Sequence, residues 1–188
     1  MAILDPYNLL AGLDWRTRRS VRTLATEFKR ATGLDLRIRS GRRTCREQDT
    51  IYAQGRGEDG KSIVTQARGC QSWHVMGRAI DADPVDPSTG KMLFPSGTDG
   101  GPYAVAGLIW EKLGGVWGGR FSFKDYGHFE WHPDTQRIST LCPDPGQCEQ
   151  MAIRIATADP PETVGPGLRY AVAGFAVAAA LLWWMRKT

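Results

Sequence analysis

Between Asp14 and Gly33, Val21, Leu24, Phe28 and Ala31 recur at three- and four-residue intervals, one face of a helix. Asp14 is a fitting N-cap and Gly33 a fitting stop, so the spacing predicts a helix through about Ala31. Arg16, Arg18, Arg19 and Arg22, off the apolar stripe, read as solvated surface. Leu34–Arg39 alternates apolar and polar positions, a half-buried strand that runs into the turn Ser40-Gly41-Arg42-Arg43. A second helix is expected over Arg46–Gln54, ended by Gly55, with the Gly- and charge-rich loop 55–60 as a mobile lip. Ala79–Asp83 reads as a short strand that Pro84 should stop. Its period of two puts Asp81 and Asp83 on the same face, and periodicity does not choose between them. After the Pro- and Gly-dense stretch 84–101, Pro102 opens a helix carrying Ala104, Val105, Leu108, Ile109 and Leu113, stopped by Gly114-Gly115. Trp117–Phe123 and His128–Trp131 read as strands around a polar turn. The expected fold is α+β, a small, mostly antiparallel sheet flanked by helices, over residues 1–140.

The pattern changes after that. Residues 141–166 are rich in proline and weakly patterned, and read as a linker. Residues 167–188 hold a nearly charge-free run, with no charge at all from Tyr170 to Met185 and Arg186-Lys187 behind it. A helix over 167–185 would span about 28 Å, close to a bilayer core. Trp183 and Trp184 sit where an aromatic belt would place them. The expectation is one C-terminal transmembrane helix in a lipid bilayer, the rival being a buried C-terminal helix. Met1–Leu13 lacks the basic start and apolar run of a secretory leader.

Composition narrows the partners. The 188 residues carry a formal charge of +4 with 41% hydrophobic residues, an ordinary globular content with a basic surface. Such a surface suits anionic polymers, but no basic stripe interleaved with aromatics points to nucleic acid. Four cysteines, Cys45, Cys70, Cys142 and Cys148, permit three pairings and contain no Cys-x-x-Cys spacing for a thiolate metal site. Cys142 with Cys148 would close a short loop, and Cys45 with Cys70 would join two segments beside the chemistry described next. Free buried thiols are the alternative.

Candidate chemistry gathers around few residues. The chain has three histidines, and two lie in stretches with spaced carboxylates: His74 with Asp81, and His128 with Asp125. His74, Asp81 and His128 offer three ligands to zinc and leave a fourth tetrahedral position for water. A rival set using Glu130 or His132 stays open, because 128, 130 and 132 share one face of an extended strand. Asp125, brought back by the turn at Tyr126-Gly127, is the candidate general base, and Arg43 the candidate oxyanion cation.

The motifs resemble a known family. Ser-x-His-x-x-Gly-x-Ala-x-Asp is matched by Ser72, His74, Gly77, Ala79 and Asp81, and Asp-x-x-His-Phe-Glu by Asp125, His128, Phe129 and Glu130. Ser40-Gly41-Arg42-Arg43 is similar to that family's Ser-Gly-Tyr-Arg, and Trp117-Gly118-Gly119 fits as well. Over residues 15–132 the chain resembles the M15 zinc peptidases, in the branch of phage endolysins and bacterial enzymes that cut L-alanyl-D-glutamate bonds of peptidoglycan. The resemblance implies zinc on His74, Asp81 and His128, Asp125 as base, Arg43 on the substrate carbonyl and oxyanion, and Ser72 holding substrate or orienting the site. Arg42 and Gly127 depart from the family's Tyr and Pro.

The expectation is therefore a hydrolase acting on peptidoglycan stem peptides, membrane-anchored in a virion or the host inner membrane, with its catalytic domain facing the wall. A D-alanyl-D-alanine carboxypeptidase or dipeptidase and a catalytically silent, zinc-containing wall-binding module are the rivals.

Overall fold

The computed structural model describes residues 2–57, 60–97, 99–132, 138 and 144–158. Among these, five strands form one mixed sheet: β1 (Ile3–Leu4), β2 (Asp35–Ser40), β3 (Ala79–Val85), β4 (Val116–Trp117) and β5 (His128–Glu130), in the order β1-β2-β3-β5-β4. Only the β1–β2 pair is parallel; the other three are antiparallel. The architecture is α+β, with helices α1 (Trp15–Thr32), α2 (Cys45–Ala53), α3 (Pro102–Lys112) and α4 (Pro145–Thr157) flanking the sheet.

Helix α1 starts where the Asp14 carboxylate accepts the Arg16 N–H at 2.8 Å and ends at Gly33, whose φ of 76° suits a residue without Cβ. Its Val21, Leu24 and Phe28 pack with Ile109 and Trp110 of α3 against the apolar face of the sheet. That face carries Leu36, Ile38, Ile80, Ala82 and Phe129, all fully buried. Strand alternation sends Asp81, Asp83, His128 and Glu130 to the other face. One side of the sheet is therefore core, and the other is free to carry a site.

The strand β3 does not stop at Pro84. The Ala82 N–H points at the Gly127 carbonyl, and two residues on Pro84 points the same way, past the end of β5, where no strand asks it for an N–H. Nor does a strand run from Trp117 to Phe123. Gly118–Arg120 forms a 3₁₀ turn, because the Gly118 carbonyl accepts the Asp125 N–H at 3.0 Å and a Cβ at 118 would stand 2.4 Å from the Asp125 carbonyl oxygen. Strand β1, unmarked in the sequence, is two residues pairing with β2.

The stretch expected to be linker contains α4. Asp144 caps it and Pro145 opens it, while Cys148, Met151, Ala152 and Ile155 fall at helical spacing. Met151 and Ile155 pack on Trp73, Met76 and Ala79, and Cys148 packs with Cys45, Cys70 and Val75. The apolar stripe outweighs the flanking prolines, since burying each large side chain contributes about 1.5–3 kcal/mol. Cys45 and Cys70 form a disulfide, and no described cysteine is free. Cys142 and the apolar run 167–188 lie outside the described residues. No described helix is long and apolar enough to cross a membrane.

Candidate metal centre

His74 sits in the tight turn 72–77. The Ser72 hydroxyl accepts the His74 N–H at 3.3 Å, and the His74 carbonyl accepts N–H bonds from Arg43 and Gly77, each at 3.1 Å. Gly77 adopts φ 65°, and a Cβ there would come within 2.8 Å of the Gly12 carbonyl oxygen. The motif glycine thus lets the turn lie directly on the Gly12–Asp14 segment, where the Asp14 N–H donates to the Gly77 carbonyl.

Strand pairing then does the assembly. Asp81 on β3 is opposite His128 on β5 and Ser40 on β2. His74 Nε2 lies 3.3 Å from both Asp81 Oδ1 and His128 Nδ1, and those two atoms are 3.0 Å apart. These three residues form the one cluster of metal-ligating type among the described residues. A tetrahedral ion with bonds near 2.0–2.1 Å needs ligand atoms roughly 3.3 Å from one another. The three donors already stand at about that separation, so the residues fit a divalent metal.

The second atom of each ligand is held as well. His74 Nδ1 donates to the Gly41 carbonyl at 2.7 Å, which leaves Nε2 with its lone pair toward the cluster. His128 Nε2 bonds Glu130 Oε1 at 2.9 Å, and the other oxygen of Glu130 bonds His132 Nε2 at 3.0 Å. His132 stacks on Trp73 with ring centroids 4.2 Å apart. Glu130 and His132, the open rivals for the ligand set, therefore stand behind His128. Asp81 Oδ2 takes a 2.6 Å bond from Arg43 Nη2.

The electrostatics match this layout. Burial pushes the His74 imidazole below its ordinary pKa and keeps it neutral, as a ligand must be. Burial opposes charge on Asp81 and His128 too, but the imidazoles and their hydrogen bonds hold the Asp81 carboxyl well below the usual range. Bonds to Asp81 and Glu130 push His128 up to about 10, and bonds from His128 and His132 draw Glu130 down to about 2 against its own burial. Two buried carboxylates around one imidazole call for a cation, which a metal would supply in place of the proton.

The cluster lies in a cleft of about 670 Å³ that Asp125, Ser72, Gln66, Val64 and Phe123 also line. The Asp125 backbone is anchored by Gly118 and by the His128 N–H, while its side chain is exposed and no described residue hydrogen-bonds its carboxylate. Displacement of water by the surrounding protein raises that carboxyl above its ordinary pKa, with Asp81 adding to the rise and His128 opposing it. Arg43 is more constrained than the sequence implied. It bonds the Ser40 hydroxyl through Nε and Nη2, Gln48 Oε1 through Nη1, and Asp81 through Nη2. The motifs contain Ser40 and Gln48 but assign them no role; that of Gln48, fully buried on α2, shows only once Arg43 is seen against it. Arg42 does not line the cleft.

Comparison with known proteins agrees with the motifs. Residues 65–131 match the peptidase M15 family described as D-alanyl-D-alanine carboxypeptidase. The chain is 38% identical over 108 residues to the peptidoglycan L-alanyl-D-glutamate endopeptidase CwlK of Bacillus subtilis, covering 54% of this chain and 64% of that protein. The chain thus spans somewhat less than two thirds of that curated relative's length. A structural match is the L-Ala D-Glu endopeptidase ChiX of Serratia marcescens, 20% identical, covering 66% of this chain and 84% of that one with a TM-score of 0.47. The resemblance to the M15 peptidases holds over a segment that contains His74, Asp81, Asp125 and His128.

Proposed function

We propose that this chain is a zinc-dependent peptidoglycan endopeptidase that cuts the L-alanyl-D-glutamate bond of stem peptides. The observation that carries the reading is the convergence of His74 Nε2, Asp81 Oδ1 and His128 Nδ1 in a cleft that also presents the carboxylate of Asp125, which no described residue hydrogen-bonds. The name borne by the Bacillus subtilis relative supplies the bond.

Zinc held by these three residues would supply a Lewis acid that polarises the scissile carbonyl and lowers the pKa of water towards about 7. Asp125 takes the proton from the attacking water and returns it to the departing amine, a role that its exposed place in the cleft and its raised pKa both favour. Arg43 holds Asp81 in line. Four of its five N–H groups are engaged, leaving one on Nη1 for a substrate oxygen. Ser72 keeps the His74 turn in place and lines the cleft where a peptide would lie.

The apolar run Tyr170–Met185 would tether the enzyme to a bilayer, with the catalytic unit facing the wall. The two named relatives come from bacteria, so a phage origin rests on the motif resemblance alone. The family's description as a D-alanyl-D-alanine carboxypeptidase favours a second reading, removal of a terminal D-alanine. Mass spectrometry of digested muropeptides separates the two. Release of whole stem peptides from N-acetylmuramoyl-L-alanine, abolished by a chelator and restored by zinc, is the expected result. Loss of terminal alanine alone would assign the second activity, and no cleavage with the metal bound would leave a wall-binding module.

A further inference from the structure

Two arginines line the cleft among the described residues, and they are placed differently. Arg43 is committed to Ser40, Gln48 and Asp81. Arg39 stands where β2 loses register, between Ile38 opposite Ala82 and Ser40 opposite Asp81, and its side chain is 56% exposed. Its ion pair is with Asp83, Nε to Oδ2 at 3.4 Å, a contact too long to be a strong hydrogen bond. The other oxygen of Asp83 already accepts the Tyr103 hydroxyl at 3.1 Å. The outer donors of the Arg39 guanidinium are thus left to the cleft.

Gly127 makes room for it. A Cβ at 127 would stand 3.2 Å from Arg39 Nη2, so the guanidinium would have to give by a few tenths of an ångström at the turn that joins Asp125 to His128. With glycine at 127, the guanidinium lies directly against the turn that carries Asp125 and His128.

The anion that would meet it follows from the chemistry of the substrate, and this step rests on the glutamyl-bond reading above. A glutamyl residue on the leaving side of the cut has two carboxyl groups, of which the continuing chain uses one. The other is a free carboxylate unless it has been amidated, and it lies within one residue of the scissile bond. We infer that Arg39 binds this carboxylate and makes the cleft select stem peptides with a free glutamyl carboxylate over amidated ones. A planar guanidinium fits a carboxylate with two parallel hydrogen bonds, and an amide offers neither the charge nor the second acceptor.

The test uses the zinc-loaded full chain on two muropeptides that differ only in that carboxyl, free acid and amide. Wild type is expected to favour the free acid by about tenfold to a hundredfold in kcat/KM. In Arg39→Gln that ratio should fall towards one, while Arg39→Lys should retain part of it. Binding of the two uncut peptides to Asp125→Asn, with and without Arg39→Gln, should show the same preference by calorimetry. A ratio near one in wild type, or an undiminished ratio in Arg39→Gln, overturns the assignment of Arg39. Products other than those of cleavage after L-alanine would instead overturn the bond itself, which the product masses report separately. Circular dichroism and the metal content of each variant establish that the fold is retained.

Discussion

On the floor of the cleft, in the turn 72–77 and along β3 and β5, every metal-directed side chain has its remaining polar atom held by a partner: His74 by the Gly41 carbonyl, His128 by Glu130, Asp81 by Arg43. The lip that lines the cleft opposite this floor is not the loop 55–60 expected from the sequence but the stretch 60–71, and it is held in another way. Arg56 reaches the Thr65 carbonyl and Gln66, Gln48 reaches the Ala67 carbonyl, and the Cys45–Cys70 disulfide pins the far end. Ile63 and Val64 of the lip are 42% and 47% exposed, whereas the floor ligands are nearly closed off. The floor fixes donor atoms to within tenths of an ångström, as bond-making at a metal demands. The lip offers apolar surface and backbone carbonyls that can adapt to a peptide. On the proposed function, the chemistry would fall to the floor and most of the contact with a peptide to the lip.

Four experiments probe that division, the first expected to have the largest effect. Replacing His74 by Ala removes one of the three donors of the candidate metal cluster. Metal content should fall towards that of chelated protein and cleavage should disappear with it; stoichiometric zinc in His74→Ala by elemental analysis would break the picture of the floor. Asp125→Asn should keep its metal and lose about a hundred- to ten-thousand-fold in kcat, because only the proton carrier is gone. Undiminished turnover would move the base elsewhere. Glu130→Gln leaves the three ligands in place but weakens the grip on His128, and metal affinity should drop about tenfold to a hundredfold in a competition titration. Unchanged affinity would show that Glu130 does not orient the ligand.

The smallest effect on turnover is expected at the lip. Changing Cys45 and Cys70 together to Ser opens a bridge with a sequence separation of 25 and should cost about 2–4 kcal/mol in denaturant unfolding. Below the new melting temperature, KM should rise while kcat and metal content hold. A kcat that collapsed with KM unaltered would mean that the disulfide serves the floor and not the lip.

Much of the floor was legible in the chain. Two spaced motifs located the three residues that cluster as a candidate metal site, the alternation of β3 put Asp81 and Asp83 on one face, and Asp14 and Gly33 marked the ends of α1. Those signals are local, fixed by a residue's immediate neighbours and by strand or helix period. Three features were not legible. Helix α4 lay hidden under its prolines, and its apolar stripe matters only because Trp73 and Met76 wait to be covered. Continuation of β3 through Pro84 depended on where β5 ends. Commitment of Arg43 depended on Gln48 and Ser40 arriving beside it.

The sequence by itself determined which atoms could bind a metal and move a proton, because imidazole and carboxylate chemistry belongs to the residue wherever it sits. It also determined the turns that Gly33 and Gly77 permit. Only the tertiary structure decided that Asp81 and not Asp83 meets the two imidazoles, that Glu130 stands behind His128 instead of beside it, and that Arg43 has four of its five N–H groups engaged by described residues while Arg39 has only a long ion pair. Those choices turn on register between strands and on which of several possible partners comes within about 3 Å, and neither is written in the spacing of residues along one chain.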